Sequence, residues 1–248
     1  MIFITSICNI VASDLFRKDR MSSLGLKTIR KKQGWNQSEL ARRLGVSQPL
    51  VSLLESGERV LTPEHLQKFR QMGFELDAGY LPMRQDFETS KLNYARELAN
   101  LDYPRFAHLK VGEPTLHPMQ LLMRALSQPN LERRVAEALP WLVVRYCKTN
   151  WDWHWLRDNA KVRDLQNRLG FTLTLARKVA MQTQFSSVAA LLRKQETQLR
   201  DSVLARQDTY CYESMTKSER KWLAARRPED AAAWHVLSDL DANQLAYA

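Results

Sequence analysis

An all-α fold is predicted by three observations. Apolar residues recur with a 3.6-residue period in nearly every segment from Leu24 onward, capping residues bracket those segments, and sustained strand alternation bounded by turn residues is missing. With 248 residues the chain can bury a substantial core and is long enough for two modest domains. Its 44% hydrophobic and 26% charged residues are an ordinary balance for a water-soluble protein. No stretch approaches the ~20 consecutive apolar residues of a membrane span. The formal net charge is +10, for which phosphate-rich partners are the commonest reason. Cys8, Cys147 and Cys211 share no CxxC or Cys/His spacing, which argues against a structural zinc site or a disulfide framework and fits a reducing cytoplasm.

Residues 1–20 open on an apolar run with no basic region before it and no convincing cleavage motif after it. They read as a mis-assigned start, with translation beginning at Met21, or as a loosely ordered arm. Residues 21–75 read as a first domain of short helices. Within it, QSELARRLGVSQPLVSLLES from Gln37 to Ser56 has the pattern of two helices joined by a tight turn. Leu40 and Leu44 face inward at i and i+4, and the small Ala41 lets the next helix approach. Gly45 sits where the turn needs positive φ, which glycine adopts at little cost. Val46 tucks into the core. Asn36 and Ser47 are N-caps, and Pro49 falls in a first turn whose amides are unpaired anyway. Val51 and Leu54 face inward. Thr62 and Pro63 open a further helix to about Gln71.

The segment 76–115 reads as a linker, punctuated by Gly79, Pro82, Pro104, Gly112 and Pro114, with one short helix around Lys91 to Leu98. Residues 116–248 read as a second helical domain. Its expected helices are Pro118–Leu126; Leu131–Lys148, capped by Asn130 and kinked or split at Pro140; Trp151–Leu169, stopped by Gly170; and Thr172–Gln182. Ser187 is expected to cap a helix through about Asp208 and Ser218 another through Arg226, with Pro228 opening the last segment.

The joint spacing of Gln37, Ala41, Gly45, Val51 and Leu54 marks a helix-turn-helix, and Leu24 to about Met72 resembles the Cro/C1-type, or XRE, family of phage and bacterial repressors. The resemblance rests on LKTIRKKQGWNQ before the motif, NQSELARRLG within it and LLESGER after it. It implies that Gln37 contacts phosphate and that Arg30 and Glu55 brace the first helix against the recognition helix. It also places Gln48, Pro49, Ser52 and Leu53 toward the major groove. Gln48 is the best candidate for a specific contact, since glutamine can bond bidentately to adenine. Many relatives carry a polar residue where this chain has Leu53, and Leu50 is apolar too, so these leucines pack on thymine methyls or on another helix.

Between Met21 and Met72 nine Lys/Arg face four Glu. Lys27, Lys31, Arg42, Arg43 and Arg59 are within reach of flanking phosphates, which makes affinity salt-dependent. The expected DNA-binding set is Gln37, Arg42, Arg43, Ser47, Gln48, Pro49, Ser52, Leu53 and Arg59.

In the second domain Trp141 and the WDWHW run (Trp151, Trp153, Trp155) point to an aromatic core or a dimer interface, with Trp151 and Trp155 on one helical face. His154 and Asp158 have metal-ligand spacing but no third ligand. Leu165 and Leu169 are expected to point inward. No nucleophile elbow, phosphate loop or HExxH motif occurs, so no catalytic residue, metal or cofactor is assigned and no enzyme is expected. The expectation is a cytoplasmic transcriptional regulator, a repressor that binds double-stranded operator DNA as a homodimer. The alternative is an antitoxin that autoregulates its operon while its C-terminal helices bind a partner toxin. A small-molecule effector is a further possible partner of those helices.

Overall fold

A computed structural model of the chain describes residues 26–56, 58–59, 61–74, 78–81, 83, 92–149 and 151–245. The expectation for residues 1–20 lies outside the described residues. Two compact units emerge, one within Met1–Asp86 with Gly112–His117, the other within Phe87–Val111 with Pro118–Ala248. The fold is mostly helical.

In the first unit α1 (Leu26–Lys32), α2 (Gln37–Leu44), α3 (Gln48–Ser56) and α4 (Pro63–Gln71) enclose a small core. Asn36 caps α2, its side chain accepting from the Glu39 amide at 2.8 Å. Leu40, Ala41 and Leu44 of α2 are buried, as are Val51 and Leu54 of α3, against Leu26, Ile29, Leu66 and Phe69. Gly45 ends α2 at φ 67°, and the Val46 amide donates back to the Ala41 carbonyl at 3.0 Å. The Lys68 ammonium donates to the Leu44 carbonyl at 2.6 Å, so α4 caps a helix end from across the core. After the 3-10 turn Ala78–Tyr80, residues 112–117 also belong here; His117 Nε2 lies 3.1 Å from the Gly79 carbonyl oxygen.

The second unit is built around α9 (Gln166–Gln182), packed by α7 (Arg133–Tyr146), α8 (Trp153–Val162) and α10 (Ser186–Arg200). Helices α5 (Tyr94–Asn100) and α6 (Pro118–Leu126) precede them, and α11 (Lys217–Arg226) and α12 (Glu229–Ala233) follow. Residues 92–111, within the expected linker, pack here: Leu98, Leu101, Tyr103 and Phe106 are buried, Tyr103 rests 5.0 Å from the Trp141 ring, and the Tyr146 hydroxyl donates to the Leu101 carbonyl. A two-residue parallel pair, β1 (Asp208–Thr209) with β2 (Val236–Leu237), is the one sheet among the described residues.

Several expected helix limits shift, each for a local reason. Asn130 is no N-cap, because its side chain accepts from the Ser214 amide at 3.0 Å and its backbone bridges to Tyr212. Pro140 sits inside an uninterrupted α7, where the flanking Leu139, Trp141, Leu142 and Val143 are all buried. Asp152 caps α8 by accepting from the Trp155 amide, so Trp151 precedes the helix and does not share a helical face with Trp155. Trp151 is buried as expected of a core aromatic, 5.2 Å from Trp153. The chain turns at Asp164, φ 56°, and α9 then runs straight through Gly170. Gly170 is therefore not a helix stop. It admits the Trp234 ring, whose carbons would lie 2.2 Å from a Cβ at that position. Leu165 and Leu169 point inward. Helix α10 ends at Arg200, well before Asp208, whose amide pairs instead with the His235 carbonyl. Thr216, two residues before Ser218, caps α11 in a reciprocal box with Glu219.

Candidate nucleic-acid interface

Gln37 is the first residue of α2 and Gln48 the first of α3, and the tight turn at Gly45 folds the two together. Gln48 Nε2 donates to Gln37 Oε1 at 2.7 Å. Gln37 Nε2 in turn donates to Glu55 Oε2 at 3.1 Å. Glu55, on the last turn of α3, is held in a fork by Arg30 Nε at 2.6 Å and Nη2 at 3.0 Å, and Arg30 Nη1 donates to the Trp35 carbonyl at 2.9 Å. A continuous relay thus runs from α1 to the exposed head of α3. Burial pushes the Glu55 carboxyl up, but hydrogen bonds from Arg30 and Gln37 and the charges of Arg30 and Lys27 outweigh it and hold it below its ordinary value. The bracing that the resemblance implied for Arg30 and Glu55 is present.

Gln48, Pro49 and Ser52 are exposed along α3, while Leu50 and Leu53 are half-buried. The leucines are therefore partly committed to packing rather than fully presented to solvent. Ser47 is exposed at the head of α3; its hydroxyl accepts from the Leu50 amide at 3.4 Å, a long bond for a cap. Arg42 and Arg43, in the last turn of α2, both pair with Glu39, at 2.8 and 2.9 Å. The hydrogen bond from Arg42 is the main cause that holds the Glu39 carboxyl below its usual range. Arg43 also stacks over the Trp35 ring at 4.3 Å, and Trp35 meets Phe74 edge-on at 5.6 Å. Arg59 is exposed beyond α3, its amide bonded to the Leu53 carbonyl. Lys27 and Lys31 are exposed on α1.

Sequence reasoning placed Gln37 and Gln48 separately and missed that they touch. Two long amides at the heads of consecutive helices, eleven residues apart, were the signal. Trp35 was also missed, although its place between the φ-positive Gly34 and the cap Asn36 leaves an aromatic side chain beside α2. Elsewhere, His154 Nδ1 lies 2.7 Å from Asp158 Oδ2 on an exposed helix face, and among the described residues no group of His, Cys, Asp and Glu is arranged to hold a metal. No helix among the described residues is long and apolar enough to cross a membrane.

A helix pair joined by a glycine turn, packed on two further helices and presenting the head of its second member, defines a DNA-binding helix-turn-helix. Residues 26–71 match the helix-turn-helix family model and are a domain of the Cro/C1 type. No curated protein and no solved structure matches the chain.

Proposed function

We propose that the chain is a cytoplasmic transcriptional regulator, a repressor that docks α3 in the major groove of its operator and blocks polymerase. The observation that carries this reading is the Gln48–Gln37–Glu55–Arg30 relay. It fixes the amide of the first residue of α3 in an exposed position, and a pre-oriented amide loses little freedom on bonding an adenine edge. Gln37, Arg42, Arg43, Ser47 and Arg59 serve the phosphates, while Pro49, Ser52 and Leu53 line the groove. Arg42 and Arg43 trade Glu39 for phosphate oxygens on docking. The protein acts as a homodimer on two half-sites about one helical turn, ~34 Å, apart.

The test is fluorescence anisotropy of the full chain on DNA from upstream of its own reading frame. Affinity is expected to fall about a thousandfold between low and moderate salt. Gln48→Ala is expected to cost about tenfold on that DNA and little on scrambled DNA, whereas Arg43→Ala weakens both alike. Equal binding by the Gln48→Ala Arg43→Ala double variant and the parent would show that α3 is not the docking face. Hydroxyl-radical footprinting checks the dimer, because a single protected patch is incompatible with two half-sites.

A further inference from the structure

A cavity of ≈ 350 Å³ lies wholly within the second unit, between α7, the turn after β1 and α11. Ala136, Met215, Leu223, Leu237 and Leu240 form much of its wall. Three of the polar groups beside it are already engaged by the protein. The Tyr210 hydroxyl and Thr172 Oγ1 share a hydrogen bond at 2.8 Å, the Cys211 thiol donates to the Ala125 carbonyl at 3.6 Å, and Ser238 Oγ accepts from the Leu240 amide at 3.1 Å. The body of a ligand therefore meets apolar surface. At the mouth Arg133 bonds Glu137 at 3.0 Å and Asp239 at 3.2 Å, and Arg105 lies 3.9 Å from Glu137, so two cations meet two carboxylates and neither sign of charge prevails there.

The cavity's two sides differ in construction. One is a rigid frame: Leu131 N donates to the Cys211 carbonyl and Glu213 N to the Pro129 carbonyl, both at 2.8 Å, and these bonds hold Cys211 in the left-handed region at φ 56°. Such strain persists only where the surroundings over-determine it. The other side is α11, which buries none of its residues and lines the cavity through Leu223 alone. It is capped by the Thr216–Glu219 box and tied by Arg220 to the Glu213 carbonyl and by Arg227 to the Val236 carbonyl. A helix with so little buried surface moves at low cost.

We propose that this cavity is a binding site for an uncharged, largely apolar small molecule, admitted by displacement of α11. Its volume falls in the range of small-molecule pockets, about 300–1,000 Å³. An engaged polar lining and a charge-balanced mouth favour a neutral body over an ionic one, because a buried ion would lack a partner.

The probe is the neutral fluorophore N-phenylnaphthylamine, titrated into the full chain beside its sulfonated relative anilinonaphthalene sulfonate. The neutral probe is expected to bind saturably at one site, to slow amide exchange in α11 and to outcompete the anionic one. Leu223→Trp, a change on a half-exposed helix that keeps the fold, should weaken it about tenfold, and Ala136→Phe should do the same from the opposite wall. Circular dichroism verifies folding, and Leu223→Trp decides if Ala136→Phe unfolds. Non-saturable uptake, affinity unchanged in Leu223→Trp, or tighter binding of the sulfonate would each overturn the proposal. The assay uses no DNA, so it reads independently of operator binding.

Discussion

Glu55 joins Arg30 of α1 and Gln37 of α2 through one side chain. Its carboxylate accepts from Arg30 and Gln37 at once, and its side chain is only 4% exposed. A carboxyl held below its ordinary value in the fold binds its proton less readily there than in the unfolded chain. The stability it contributes is fully present above the unfolded-state pKa and is lost as pH falls through the lower folded-state value. The urea midpoint of the first unit should therefore drop across the acidic carboxylate range, and Glu55→Gln should flatten that decline while lowering the midpoint at neutral pH. An unchanged acid limb in the variant would remove Glu55 as its source. Arg30 and Glu55 were readable as a pair only through the family resemblance, since they stand 25 residues apart and their local sequence says nothing of contact. The Glu39 clamp on Arg42 and Arg43 has spacings of three and four on one helix, the kind of contact local sequence does carry.

Among elements, α9 shows where periodicity fails. An amphipathic surface helix leaves a clear apolar stripe, but α9 buries Gln166, Asn167, Arg168, Thr172 and Thr174 along with its leucines. Asn167, Arg168, Thr172 and Thr174 are matched by partners distant in sequence. Asn167 exchanges bonds with the Leu204 backbone, and the Trp234 indole donates to Thr174 Oγ1 at 2.8 Å. A polar face in sequence was thus an interior face in space, and Gly170 resembled a stop because the ring that needs the gap is 64 residues away. Helix α2 was legible by contrast, since its cap, apolar stripe and glycine terminator are all local. Gly170→Ala should destabilise the second unit by about 3 kcal/mol, because the new methyl overlaps the Trp234 ring. In a Trp234→Leu background the same change should cost less, and strict additivity of the two changes would exclude the overlap as its cause.

At the scale of the whole molecule, one buried cation gathers the second unit. Arg168 donates to Asp208 at 2.9 Å, to Glu213 at 2.8 Å and to the carbonyls of Leu126 and Gln128, both at 3.0 Å. Burial alone would lower its pKa, but these carboxylates outweigh burial and raise it. Arg168→Met is expected to cost about 3–5 kcal/mol, since it strands the nearly buried Asp208 carboxylate. Arg168→Met Asp208→Asn should recover much of this in urea unfolding followed by tryptophan fluorescence. If the single variant matches the parent in stability, Arg168 is not the tie.

The same arginine carries a consequence for synthesis. Its partners at Asp208 and Glu213 are made 40 and 45 residues after it, and the Trp234 that seals α9 comes later still. The ties among the four helices of the first unit span only 25 residues for Arg30–Glu55 and 24 for Lys68–Leu44. On the ribosome the helices of the first unit can therefore settle while the second unit is still emerging, and that unit must wait, with its Asp208 and Glu213 partners missing and a bare groove at Gly170, until Trp234 has left the tunnel. A stalled or truncated product would present a finished helix-turn-helix on an unfinished body, which makes it a natural target for chaperones and proteases.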